Sequence, residues 1–136
     1  MAQVYELVRN RRVVSIAADQ YAVEAARLMM EQNIGALPVM RDGKLAGIVS
    51  ERDIMNRVVA AGRSAGSTRV FEIMTADPRT ISPEESVEEC LFMMRELGFR
   101  HLPIVDDSGV KGVVSLRDIL ISYAAELEKR QQKLAG

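Results

Sequence analysis

Two seven-residue phrases, GIVSERD from Gly47 to Asp53 and GVVSLRD from Gly112 to Asp118, place the same side chains at the same spacing. Each ends an apolar run with a serine and an aspartate three residues apart, and an arginine between them. Serine at a helix N-cap accepts a backbone N–H, and an aspartate at the third helical position meets the positive end of the helix dipole. Such a cap contributes about 1 kcal/mol. The same residues also carry binding chemistry. Gly47 and Gly112 let a neighbour approach a strand closely, and Arg52 and Arg117 put a cation beside a helix start, which suits an anion. The carboxylates of Asp53 and Asp118 can accept both hydroxyls of a ribose diol. Sugar and phosphate together point to a nucleotide, so helix cap and ligand wall stand side by side as readings.

The elements that position these phrases repeat as well. A gapless shift that carries Gly47 onto Gly112 aligns Val13–Met55 with Pro78–Leu120, with identities at Ile16, Glu24, Met29, Leu37, Pro38, Ser50, Arg52 and Asp53 among others. Val13–Ile16 and Arg79–Ile81 read as short strands. Ala22, Ala25, Ala26 and Met29 keep helical spacing, as do Val87, Cys90, Leu91 and Met94. Ser86 with Glu89 has the form of a capping box. Hairpins are expected around Asp42-Gly43 and around DDSG at 106–109. A second helix follows each hairpin, from Glu51 to about Ala61 and from Leu116 onward, the latter extended by the polar tail. The fold class is α+β, a duplicated βαββα unit with small mixed sheets. The expected organisation is a helical lead-in at 1–12, repeats at 13–61 and 78–122, a linker at 62–77 and a helical extension at 123–136. Arg9, Arg11 and Arg12 read as a solvated helix end, the alternative being a contact for a neighbouring subunit's ligand.

These motifs, IGALPVMRDGKLAGIVSERDI and FRHLPIVDDSGVKGVVSLRDI with SPEESVEECLFMM and FEIMT, resemble a tandem pair of cystathionine β-synthase (CBS) domains, often called a Bateman module. The resemblance covers roughly 13–122. It implies two units about a pseudo-twofold axis, with clefts between them that take AMP, ADP, ATP, S-adenosylmethionine or NAD(H). It assigns the ribose to Asp53 and Asp118, with Ser50 and Ser115 near ribose or phosphate. Ser15, Ile16, Thr80 and Ile81 would line the adenine, and Ile34, Pro38, Phe99 and Pro103 would cover its faces. Arg100 and His101 stand where family members carry phosphate contacts, whereas the first unit has Gly35 and Ala36, so the two clefts are expected to be unequal. The family also implies a flat homodimer through the helices.

Composition bounds the alternatives. The chain has 136 residues, 48% apolar, with a formal net charge of −1. That supports a real core and argues against a nucleic-acid binder, which needs clustered positive charge. One cysteine, Cys90, allows no intrachain disulfide, and with no membrane span or signal-like stretch the expected compartment is the cytoplasm. A single histidine and the lack of a nucleophile–base pair or GxGxxG loop argue against an enzyme, a metal centre or an obligatory cofactor. The reading is a regulatory adenine-nucleotide sensor that signals to an unidentified partner protein. Its rival is a dimerisation module that binds no nucleotide.

Overall fold

The strand expected before the first helix narrows to β1, Ile16–Ala17, in the computed structural model, which describes residues 2–135. Ile16 is buried while Val13 and Ser15 remain exposed. The apolar stripe then forms α1 (Ala22–Gln32), which buries Ala22, Ala25 and Met29. Asn33 ends α1 in the left-handed conformation, which asparagine tolerates better than most residues. β2 (Ala36–Arg41) and β3 (Lys44–Ser50) make the hairpin, with Asp42 and Gly43 at φ 53° and 76°. Two positive φ values are what a tight turn matching strand twist requires. β1 pairs parallel with β2, and β4 (Thr75–Ala76) closes the sheet against β3.

The second unit repeats this frame. α3 (Val87–Leu97) buries Val87, Cys90 and Met94, and it ends at Gly98 with φ 75°. Ser86 accepts from the Glu89 amide at its start, which is half of the capping box expected there; the Ser86 amide donates to Glu85 Oε1 instead of Glu89. β5 (His101–Asp106) and β6 (Gly109–Ser115) form the hairpin, with a register shift at Ile104/Val105 that matches the one at Val39/Met40. The strand expected over Arg79–Ile81 shrinks to one bridge, Ile81 parallel to Ile104.

The helices after the hairpins differ from each other and from expectation. α2 covers only Glu51–Ile54 before the chain widens into a π-helical turn, Met55–Val59. That turn buries Val58, and Arg57 Nη1 donates to the carbonyls of Ile73 and Met74 at 3.1 and 3.2 Å. α4 runs from Leu116 to Ala135, so the polar tail does extend it.

Two apolar clusters form the core, and each is completed by a short 3-10 turn from ahead of the other repeat. Val70 and Ile73 join Ile16, Leu37, Val39 and Val49 in the first. Val4 and Val8 join Ile81, Leu102, Ile104 and Val114 in the second. The attachments match: Val70 N–H donates to Gln20 O and Phe71 N–H to Ala18 O, while Val4 N–H donates to Glu85 O and Tyr5 N–H to Pro83 O. The segment read as a helical lead-in is therefore a 3-10 turn, Val4–Leu7, built into the second unit's core. Burial of Val4 and Val8 holds it there, at about 25 cal/mol per Å² of apolar surface removed from water.

Candidate functional site

Both serine–aspartate phrases form complete capping boxes. Ser50 Oγ accepts from the Asp53 amide, and the Ser50 amide donates to Asp53 Oδ2 at 2.8 Å. Ser115 and Asp118 repeat this, at 3.1 and 2.8 Å. The first helical amides are taken up too: Glu51 N–H donates to Gly35 O and Leu116 N–H to Arg100 O. Two of the first three amides of each helix are thus satisfied internally. The open anion site expected at these helix starts is reduced accordingly, and charge there must come from side chains.

Each aspartate spends Oδ2 on its cap and turns Oδ1 elsewhere. Neither carboxylate points into bulk water, with side chains only 15% exposed at Asp53 and 9% at Asp118. Asp53 Oδ1 lies 3.7 Å from Arg57 Nε, one helical turn on. Asp118 Oδ1 accepts from Arg11 Nη2 at 2.6 Å, across 107 residues of chain. Arg11 is therefore not merely part of a solvated helix end; it is the partner of a half-buried carboxylate. Burial alone would raise the Asp118 pKa. The Arg11 guanidinium and the Ser115 donors outweigh it and hold this carboxyl below its ordinary value.

Asp118 faces a cleft of about 1060 Å³ between the two units. Its walls include Ile34, Gly35 and Ala36 from the first unit, and Arg100, His101, Ser115, Arg117 and Asp118 from the second. Both strand entrances, Gly35-Ala36 and Arg100-His101, thus line the same space. The small pair makes room for the other unit: a Cβ on Gly35 would lie 3.3 Å from His101 Nε2 and 3.3 Å from Glu51 Oε1. Arg11, Arg12, Arg100 and Arg117 line the cleft against the carboxylates Glu51 and Asp118. Burial lowers the His101 pKa; Glu51 and Asp118 pull it back up in part, and Arg100 pushes it down again. With the imidazole neutral, guanidinium groups outnumber carboxylates on the cleft wall, which favours an anion.

The remaining expected residues lie elsewhere. Ser50 and Asp53, with the exposed Arg52, belong to the equivalent helix start of the first unit. Ile16 and Ile81 are core residues, and the adjacent Ser15 and Thr80 are exposed. Pro38 and Pro103 are buried within β2 and β5. Phe99 packs against the second core and lines a separate apolar groove with Leu91, Phe92 and Tyr123. Cys90 is buried, its thiol pushed up to about 11 by desolvation, which makes it a poor nucleophile.

Sequence reasoning did not find the strip 8–14, of which Val8, Arg11, Arg12, Val13 and Val14 line the cleft. A signal was present. VYEL at 4–7 mirrors VFEI at 70–73, offset by one residue from the register of the main repeat. Allowing that slip makes residues 4–11 the counterpart of 70–77.

A family model described as CBS domain matches the chain twice, at residues 4–60 and 70–125. The chain is 35% identical over 121 residues to the mitochondrial CBS domain-containing protein CBSX3 of Arabidopsis thaliana, covering 85% of this chain but spanning only 59% of that protein's length. Among solved structures, a protein with CBS domains from Burkholderia ambifaria superposes with a TM-score of 0.85 at 36% identity, covering 91% of this chain and 95% of that one. The CBS domain pair of protein MJ0100, in complex with 5'-methylthioadenosine and S-adenosyl-L-methionine, gives a TM-score of 0.83 at 26% identity, with 92% and 98% covered.

Proposed function

The chain belongs to the CBS domain family, as a tandem pair of CBS domains, and from that premise we propose that it is a regulatory sensor of adenine nucleotides rather than an enzyme. The observation that carries this reading is the Asp118 carboxylate, shielded from bulk water yet facing an arginine-lined cleft between the units. A ribose hydroxyl donates to Asp118, the phosphates meet Arg100 and Arg117, and the base lies against apolar wall residues such as Ile34. That a similar domain pair is described in complex with adenosine-bearing ligands supports the adenosine half of the proposal. The arginines support a phosphorylated ligand, such as AMP, ADP, ATP or NAD(H), over a bare nucleoside. Because both units line the cleft, binding changes their relative packing, and a partner protein reads that change to the extent that ligand affinity differs between the two states.

Thermal unfolding against AMP, ADP, ATP, NAD(H) and S-adenosylmethionine tests the reading. A ligand at one hundred times its dissociation constant stabilises the fold by about 2.7 kcal/mol. If no member of the panel moves the transition, the sensor reading fails.

One observation favours the rival, an interaction module. Met30, Met55, Val59, Leu120 and Ile121 are large apolar side chains exposed on α1, the π-helical turn and α4. A homodimer through these helices would cover such surface. It is compatible with nucleotide binding, and only an unmoved transition in a chain that sediments as a dimer would favour it alone.

A further inference from the structure

We propose that Arg11 is a phosphate-selecting latch, which holds the Asp118 oxygen that a ribose needs and lets go only when a ligand phosphate offers it a replacement. The inference rests on the nucleotide reading of the cleft and adds to it a residue that sets ligand class. Asp118 has two oxygens, and Oδ2 is committed to the Ser115 amide at 2.8 Å. The remaining Oδ1 is held by Arg11 Nη2 at 2.6 Å. A sugar hydroxyl that approaches Asp118 must therefore share or displace the guanidinium. Breaking a charge-assisted hydrogen bond without replacing it is costly, and a nucleoside has no anion to give in return. A phosphate ester does, and the planar five-donor fork of arginine can donate bidentately to a carboxylate or to a phosphate.

Geometry keeps the displaced side chain in the cleft. Val8 is fixed in the second core, and the Arg11 amide donates to Val8 O at 3.0 Å, so the backbone beneath Arg11 is tethered while its side chain is half exposed. Neighbouring Arg12, and Arg100 and Arg117 of the second unit, line the same cleft. The guanidinium thus needs only a side-chain rotation to leave the carboxylate and meet a phosphate gathered by these groups. Cationic adenosine derivatives meet the opposite situation, since they displace Arg11 and are repelled by it. The first unit lacks the device: continuing the match of Val4 with Val70 puts Asp77 where the second unit has Arg11.

Calorimetric titration of the full chain with AMP and with adenosine, which differ by one phosphate, tests the latch. The unaltered chain should bind AMP at least about tenfold more tightly. In Arg11→Gln, adenosine should bind as well as before or better, because Asp118 is released, while AMP weakens, so the AMP advantage shrinks severalfold. Arg11→Lys, which keeps the charge but loses the fork, should fall between. A ratio unchanged in Arg11→Gln, or equal losses for both ligands, overturns the latch and leaves the nucleotide reading intact. An unaltered chain that binds neither probe nor any other member of the nucleotide panel overturns the nucleotide reading itself.

Discussion

Gly47 and Gly112 hold the same place in the two repeats, yet what covers them differs. Over Gly47 lie Met74 and the carbonyl of Thr75, where β4 pairs with β3. Over Gly112 stands Val8 alone within contact range, and β6 carries no third strand among the described residues. Gly112, Val113 and Ser115 on that strand line the cleft. The frame that the repeats share, with its caps, turns and left-handed helix ends, is backbone chemistry that tolerates little change. Divergence sits in the segments laid over that frame. Those segments decide what stands beside each aspartate: Arg57, bonded to the carbonyls of Ile73 and Met74, beside Asp53, and Arg11 beside Asp118.

The two aspartates give the sharpest way to break this comparison. Asp53→Ala and Asp118→Ala each remove one capping box and should cost similar stability, about 1 kcal/mol. Binding should separate them. Asp118→Ala removes the ribose acceptor facing the cleft, and AMP affinity should fall by about a hundredfold, the effect expected for lost hydrogen bonds to a buried charge. Asp53→Ala should leave AMP affinity within a few-fold of the unaltered chain. Equal losses in the two variants would mean that both helix starts bind ligand, and the asymmetry drawn from Arg11 and Arg57 would carry no functional weight.

The glycines give a smaller effect, read in stability. A Cβ at Gly47 would sit 2.6 Å from Met74 Sδ and 2.6 Å from the Thr75 carbonyl oxygen. The carbonyl belongs to a paired strand and cannot move aside cheaply. Gly47→Ala should therefore cost about 1–3 kcal/mol in urea unfolding. At Gly112 the nearest atom is a Val8 methyl at 3.1 Å, which can shift by a few tenths of an ångström. Gly112→Ala also restricts the unfolded chain, worth about 0.4–1 kcal/mol in its favour, so its net effect should be near zero. Similar costs at the two sites would show that the second unit is as tightly covered as the first.

Much of this was legible because it depends on neighbours in sequence. The capping phrases, the Asp42-Gly43 turn and the stripes of α1 and α3 are local, and the structure realises each of them. What escaped depends on distance along the chain. Helical spacing continues past Ile54, and nothing local shows that Arg57 will bind the carbonyls of Ile73 and Met74 and that the helix will widen there into a π turn. The 3-10 turn at Val4–Leu7 completes the core of the repeat it does not precede, and a one-residue slip hides its likeness to Val70–Glu72. The cleft itself is an arrangement between units. Arg11 meets Asp118, and His101 fills the space that Gly35 leaves, through packing that no pattern within one repeat encodes.

The smallest difference to be tested is the exchange of Ala36 for His101 at equivalent positions. His101 is the one histidine of the chain, so the first unit has no such titrating group at its strand entrance. In the folded protein burial lowers the His101 pKa from the ordinary 6.5, against the pull of Glu51 and Asp118 and with the push of Arg100. Between the folded pKa and 6.5 the unfolded chain binds more protons at this site than the folded one, so stability rises with pH across that interval. The contribution is fully present above 6.5 and is lost as the pH falls toward the folded value. Asp118, held below the ordinary carboxylate range, stays ionised throughout and adds no slope of its own. Urea unfolding at a series of pH values from about 7.5 down to about 5 should show the unaltered chain losing stability faster than His101→Gln, with parallel curves above 7. Identical slopes would mean that the imidazole is solvated in the folded chain. The contact of His101 with Gly35 would then not close the space between the two units, and the second unit would lose one of the features that set it apart from the first.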